Sequence, residues 1–451
     1  MPSDETLEGV LAEFAAGFPR RSIPESAINH VKLLLIDGIG CALAGDLADE
    51  TEAVATATRV WGDGTFSVIG RTEGFSPAGA TMLNAYLMTA MTVCDVYRPA
   101  HCHITPLVIP PALMAAEETG ASGEEFLAAL AIAMELTVRV AAGLDYAAFR
   151  ARGWHSPGVV GPFGAVAAIG RLRGFDEVVM RHAFGLAGTQ SAGSYLSWGT
   201  PAVKFHQARG AVSGVLAAEL ARQGFPGGRQ PLTAADGGVY NTHSNGGRAD
   251  LALAGLGERW ELEQIAIRLW PGASPVQAML TAIFDLITTQ GAGEDNVTAV
   301  RIGISPEDFD THAGFARPSG TFEALLSYSY LCSAALHDRK VWFEQVGHSR
   351  YTDPVLLGFA DERIRLMAEM GVPLNGCRLE AEFTDGRREV RRVEAARGTP
   401  ENPADLSDVR AKFHQCADRP LGRESAGSLL ELLTDIESCD DVREIWSILR
   451  G

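Results

Sequence analysis

Four segments of this 451-residue chain set histidine, lysine, tyrosine or aspartate beside glycine and proline inside otherwise apolar surroundings. That is where a buried reactive group shows in a sequence. Cys94–Pro106 carries Asp95, Arg98, His101 and His103 ahead of the apolar run Leu107–Ala116. Gly153-Trp-His-Ser-Pro-Gly158 presents His155, Val203–Ala211 presents Lys204 and His206 near the start of a largely apolar helix, and Ser327-Tyr-Ser-Tyr330 ends in Tyr330. Imidazoles exchange protons near neutral pH, and an ammonium can hold an anion as a point charge. Taken singly, each residue has a plainer role: a histidine before a turn is usually a hydrogen-bonded loop residue, such a lysine lies at the surface, and such a tyrosine belongs to the core. Their joint occurrence is what points to proton chemistry.

Cys94, His101, Cys102 and His103 cluster closely enough to suggest metal ligands, and a His-x-His pair can place two imidazoles on one side of a strand. No partner with recognisable ligand spacing follows, so no metal is expected. The seven cysteines are odd in number and include no CxxC, which argues against a disulfide framework or a zinc ribbon. No Gly-rich phosphate loop is present, so no nucleotide or organic cofactor is expected. A formal charge of −18 excludes the broad basic surface that nucleic acid or an acidic membrane requires, and an anionic substrate needs a local positive pocket. The apolar runs are interrupted, so no membrane span is expected. Met1–Phe18 carries Asp4, Glu5, Glu8 and Glu13, unlike a targeting signal, and the cytoplasm is the expected location.

The elements that must position these residues are mainly helical. From Pro24 to about Arg222 the pattern is helical, in stretches such as Ile28–Ala44, Glu124–Leu144 and Gly161–Leu172 that are apolar on most faces and must be buried in a bundle. Ser122-Gly-Glu-Glu125 reads as a capped helix start. Around Pro226–Arg248 the texture turns to Gly, Asn, Asp and Pro, and a different texture follows Trp260. Val297–Ser305 alternates as a strand, and Arg378–Val390 reads as a hairpin turning at Asp385-Gly386. Thr321–Leu336 and Pro354–Met370 read as helices. After Pro400-Glu-Asn-Pro403, Asp405–Cys416 and Ala426–Leu449 return to amphipathic helix. The expected class is mainly α: a large helical domain from both chain ends, residues 1–260 and 399–451, with a smaller α+β lid domain, 261–398, inserted between them.

Six segments in order carry a resemblance to a known family. They are Leu35–Gly45 (Leu-Ile-Asp-Gly-Ile-Gly-Cys-Ala-Leu-Ala-Gly), the loop Asp95…Arg98-Pro…His103, Gly153–Gly158, Lys204–Ala211 (Lys-Phe-His-Gln-Ala-Arg-Gly-Ala), Ser327–Tyr330 and Gly398–Pro403. In order and spacing the chain resembles, almost end to end, the MmgE/PrpD group of 2-methylcitrate dehydratases, cis-aconitate decarboxylases and an iminodisuccinate epimerase. The resemblance implies a helical domain with an α+β lid, a homodimer, an active site in the domain cleft, and independence from metal and iron–sulfur clusters. It carries the family's active positions onto His103, His155, Lys204 and Tyr330, and makes Asp95, Arg98, His206 and Gln277 candidate substrate-binding residues. Two positions depart from the pattern. Val93 stands where relatives commonly have an acid, and Arg268-Leu-Trp-Pro-Gly-Ala273 with Gln277 stands where they show Lys-Pro-Tyr-Pro-x-Cys followed by a histidine.

Taking a proton from a carbon next to a carboxylate makes an enolate-like dianion, so the site needs a base and several cationic or hydrogen-bonding groups. A neutral histidine suits the first task and Lys204 the second, with Tyr330 arriving from the lid as a proton donor. The expected partner is a small anionic carboxylate. The expected reaction is a lyase reaction, dehydration or decarboxylation of a polycarboxylic acid; an epimerase shares the carbanion and tolerates loss of the acid at Val93. A noncatalytic metabolite-binding protein is the third reading, distinguished by binding without turnover.

Overall fold

A computed structural model describes residues 6–450. The chain divides into two compact units, one from residues up to Ala266 together with those from Asp405 onward, the other from Ile267 to Ala404. Each edge lies six residues later than the sequence pattern suggests.

The first unit is helical. Its main helices are α1 (Leu7–Gly17), α2 (Glu25–Ala44), α3 (Thr51–Thr58), α4 (Pro77–Ala90), α5 (Thr105–Thr119), α6 (Gly123–Ala142), α7 (Tyr146–Ala151), α8 (Ser156–Leu172), α9 (Glu177–Gly188) and α10 (Ala202–Arg222). Helices Leu406–Leu421 and Arg423–Thr434 return from the far end of the chain. The start of α6 is fixed by a reciprocal cap: the Glu125 N–H donates to Ser122 Oγ (3.3 Å) and the Ser122 N–H to the Glu125 carboxylate (3.0 Å). Helix α8 is buried from Ser156 to Gly170 and packs on α5, α6, α9 and α10, as a helix apolar all round must. Glycine lets α8 and α10 approach: a Cβ on Gly161 would lie 3.2 Å from Gly210 Cα.

Helix α2 packs against Leu406–Leu421. There Lys412 and Asp37 form a buried ion pair, and the Lys412 ammonium also donates to the Val93 carbonyl at 2.7 Å. By length and composition Glu25–Leu47 is long and apolar enough to cross a membrane, which the sequence reading did not anticipate. Most of that stretch is buried within the bundle, where its apolar surface has protein neighbours. A two-residue strand, β1 (Val96–Tyr97), pairs antiparallel with β2 (Ile265–Ala266) at the end of the unit.

The second unit carries a four-stranded sheet in the order β4-β3-β5-β6, from β3 (Val297–Ile304), β4 (Ile364–Ala368), β5 (Cys377–Phe383) and β6 (Arg388–Val393). β3 runs antiparallel to β5 and parallel to β4. Alternate residues of β5 are buried, and Leu379, Ala381 and Phe383 join Leu280 and Ile283 of helix Val276–Gln290 and Leu331 and Ala335 of helix Tyr328–Asp338 in one core. Two expected helices differ. Pro354–Arg363 is helical, but Ile364–Ala368 leaves the helix to pair with β3, because the open edge of β3 satisfies its backbone and Ile364 enters the core. The stretch 321–336 breaks into Thr321–Ala324 and Tyr328–Asp338, where Ser327 Oγ accepts the Tyr330 N–H (3.2 Å) and starts a new helix. The ends of this unit meet: the Ile267 N–H donates to the Gly398 carbonyl (2.8 Å), and Gly398 has φ +96°, where a side chain would strike the Ile267 carbonyl.

Candidate active site

The loop before α5 is a compact clasp. Tyr97 and Cys102 exchange both backbone hydrogen bonds (2.7 and 3.1 Å), which turns the chain sharply and leaves His101 at φ +44°. Inside the clasp the buried Asp95 carboxylate accepts from the N–H of Ile104 (2.7 Å), the N–H of Thr105 (3.0 Å) and the Thr105 hydroxyl. It therefore caps α5. Burial pushes the Asp95 carboxyl up, while His103, the Thr105 hydroxyl and these N–H groups pull the other way. The Asp95 carbonyl lies 2.7 Å from His103 Nδ1. A carbonyl only accepts, so Nδ1 carries the hydrogen and Nε2 of the neutral ring keeps its lone pair. His101 is exposed and stacks on Tyr146, ring centroids 4.9 Å apart.

His155 immediately precedes α8, and its N–H donates to the Gly193 carbonyl (2.9 Å). The Ala192 N–H returns a bond to the Gly158 carbonyl (3.2 Å), so the 191–195 segment is zipped along the helix start. On the other side Ser156 Oγ donates to the Ala100 carbonyl (2.6 Å), tying α8 to the Asp95–His103 clasp. His155 is buried, its Nδ1 lies 3.0 Å from His206 Nδ1, and its ring meets Tyr195 edge-on. Burial first, then the neighbouring His103, His206, Arg150 and His101, hold the His155 imidazole well below its ordinary range. Burial also lowers His206. Both rings are thus biased toward the neutral form, and the Arg150 guanidinium lies 3.2 Å above the Tyr195 ring.

Helix α10 serves two walls. His206 and Gly210, four residues apart, face α8, whereas Gln207, Ala208 and Ala211 face α4, with the Gln207 amide 3.3 Å from the Thr89 hydroxyl. Lys204 belongs with the second set: its ammonium donates to the carbonyl of Ala90, the last residue of α4. The favourable site for a cation at a helix C-terminus is occupied by this lysine. The structure therefore joins His103, His155 and His206 into one constellation and puts Lys204 at the end of α4. Arg98 is partly buried in the short turn after β1.

In the second unit Tyr330 is buried and its hydroxyl donates to the Gln345 carbonyl, while burial raises its phenol. Gln277 is also buried, its amide bonded to Trp270 N (3.3 Å) and Trp270 O (2.9 Å), and the Arg268 guanidinium donates to the Gly272 carbonyl (3.1 Å). These groups brace the 268–277 turn.

Comparison with known proteins places the arrangement. The MmgE/PrpD N-terminal domain pattern matches residues 9–252, and the MmgE/PrpD C-terminal domain pattern matches residues 270–437. The chain belongs to the MmgE/PrpD family. Among its relatives are a cis-aconitate decarboxylase-like protein of Aspergillus oryzae, 26% identical with 100% of this chain and 99% of the relative covered, and the cis-aconitate decarboxylase of Aspergillus terreus, 24% identical over 97% and 95%. The human cis-aconitate decarboxylase is 21% identical, over 99% and 95%.

In this MmgE/PrpD chain, two members of the histidine pocket escape a sequence reading. Arg150 sits in α7, Tyr-Ala-Ala-Phe-Arg-Ala, which carries no motif. Tyr195 lies in Gln190–Thr200, whose glycine and serine content between two apolar helices was the available signal.

Proposed function

We propose that the protein is a lyase that decarboxylates an unsaturated tricarboxylic acid of the cis-aconitate type, or dehydrates a hydroxy-polycarboxylate, with no metal or organic cofactor. One observation carries the reading: three histidines meet where α8 begins, with Arg150 close enough to depress His155. The full-length relatives named as cis-aconitate decarboxylases support it. In the decarboxylation the carbon–carboxylate bond breaks, carbon dioxide leaves, and the electron pair passes to the allylic carbon, which then takes a proton. His103, its Nδ1–H held by the Asp95 carbonyl, suits the group that takes a proton from solvent on Nε2 and passes it to that carbon, and His155 suits a neutral hydrogen-bond donor to the remaining carboxylates. Lys204 supplies fixed positive charge to the wall that α4 and α10 form. Asp95 acts by holding His103; Arg98 and His206 complete the polar lining, and Gln277 and Tyr330 hold the second unit's turn and helix.

The test is a panel of di- and tricarboxylates, cis-aconitate included, followed by NMR in deuterated buffer. Turnover should release carbon dioxide or water and place deuterium on a carbon next to a carboxylate. Exchange without net product would move the reading to an epimerase, and a panel in which no acid is altered would remove the catalytic reading. Dialysis against a strong chelator should leave the rate unchanged, and a loss restored by one added metal would return attention to His101 and His103.

A further inference from the structure

The His155–His206 contact joins two like atoms, Nδ1 to Nδ1 at 3.0 Å, and only one of them can carry the hydrogen that bonds them. Two N–H groups would face each other, and two lone pairs would repel. Each ring's far nitrogen is therefore decided by the near one: whichever ring donates at Nδ1 has a bare Nε2, and whichever accepts carries its proton on Nε2. His103 has no such choice, because the Asp95 carbonyl makes it a donor at Nδ1 and leaves Nε2 bare. A site with one proton acceptor fixed in this way needs a donor beside it. We infer that His206 donates Nδ1–H to His155 and so locks His155 as the Nε2–H tautomer, making His206 a positioning residue that turns its buried neighbour into a hydrogen-bond donor. The direction of the donation rests on the lyase reading, which asks for a donor beside the bare Nε2 of His103.

The packing holds the pair in place. His206 is anchored on the α10 face that meets α8, where Gly210 admits Gly161. Gly193, whose carbonyl accepts the His155 N–H, leaves room for His206: a Cβ there would come 3.3 Å from His206 Nδ1. A bulkier residue at 193 would press on the ring. The groups facing the pair are cationic or neutral, namely Arg150, His101, His103 and Tyr195, so a neutral donor is favoured at His155 over a second imidazolium.

The experiment uses the full chain labelled with 15N-histidine at about pH 8, where unperturbed imidazoles are neutral. Signals are assigned with His155→Gln and His206→Asn. The expected spectrum has His155 protonated at Nε2 and bare at Nδ1, with His206 the reverse. His206→Asn, whose amide can still donate, should preserve the His155 tautomer; His206→Asp, which can only accept, should flip His155 to Nδ1–H and have a kcat on cis-aconitate at least tenfold below that of the Asn variant. A wild-type His155 protonated at Nδ1, or Asn and Asp variants equally impaired, overturns the inference. If the tautomers are as stated but wild-type protein alters no carboxylate, the pair stands and the lyase reading falls. If turnover is found with the tautomers reversed, the lyase reading stands and the inference falls.

Discussion

His103 and His155 are tied to backbone by different rules, and that difference predicts how each responds to substitution. His103→Ala removes a ring whose Nδ1–H is fixed by the Asp95 carbonyl, and His155→Ala removes the buried partner of His206. Each should lower turnover roughly a hundredfold or more in steady-state assays, the scale for losing an acid–base or charge-stabilising group. Lys204→Arg should fail by a similar factor, since a planar fork does not replace a compact ammonium at the Ala90 carbonyl. His101→Ala should be mild, because that ring is exposed on Tyr146. Burial lowers His30, His155, His206, His243 and His312 from an ordinary value of 6.5. The unfolded chain then binds more protons than the folded one below that value, so stability rises with pH through this window and is lost as pH falls. Thermal unfolding followed from about pH 7 to about pH 5 should show a falling midpoint, and His155→Gln should flatten the slope. The sequence exposed His103 and His155 through nearby Gly and Pro, but not the pairing of 155 with 206, since a contact across 51 residues leaves no local mark.

Among the elements, α8 and α10 set the site by how closely they lie. Gly161→Leu or Gly210→Leu would wedge them apart, and overpacking of this kind costs about 1–3 kcal/mol while shifting His155 from His206. Urea titration should show the lost stability, and kcat should fall further than the stability loss alone implies. Long apolar helices such as α6 and α8 were legible because their composition leaves no face for water. Strand β4 was not: Ile364–Ala368 follows directly from a helix, and only the unpaired edge of β3, 60 residues earlier, makes it a strand. The Asp95 cap was visible only as a polar residue before Pro106, since its partners are backbone N–H groups.

For the whole molecule, the change of texture after Trp260 and again near Pro403 made the two units readable, while their edges depended on the Ile267–Gly398 bond, which no local pattern shows. A homodimer is proposed on the family resemblance, and sedimentation at micromolar concentration should show about twice the 48.0 kDa chain mass. Lys412→Met should leave Asp37 as an unpaired charge in the core; breaking such a pair costs about 3–5 kcal/mol, seen as a lower denaturation midpoint. The same pair bears on the order of synthesis. Val93 and Lys412 are 319 residues apart, so on the ribosome α2 and the loop after α4 are made long before the ammonium that neutralises Asp37 and holds that loop. The contiguous unit from Ile267 to Ala404 can close its own core in the meantime, so the part of the chain made first is completed last, and nascent helical intermediates with an uncompensated buried acid are the species a chaperone would have to shield.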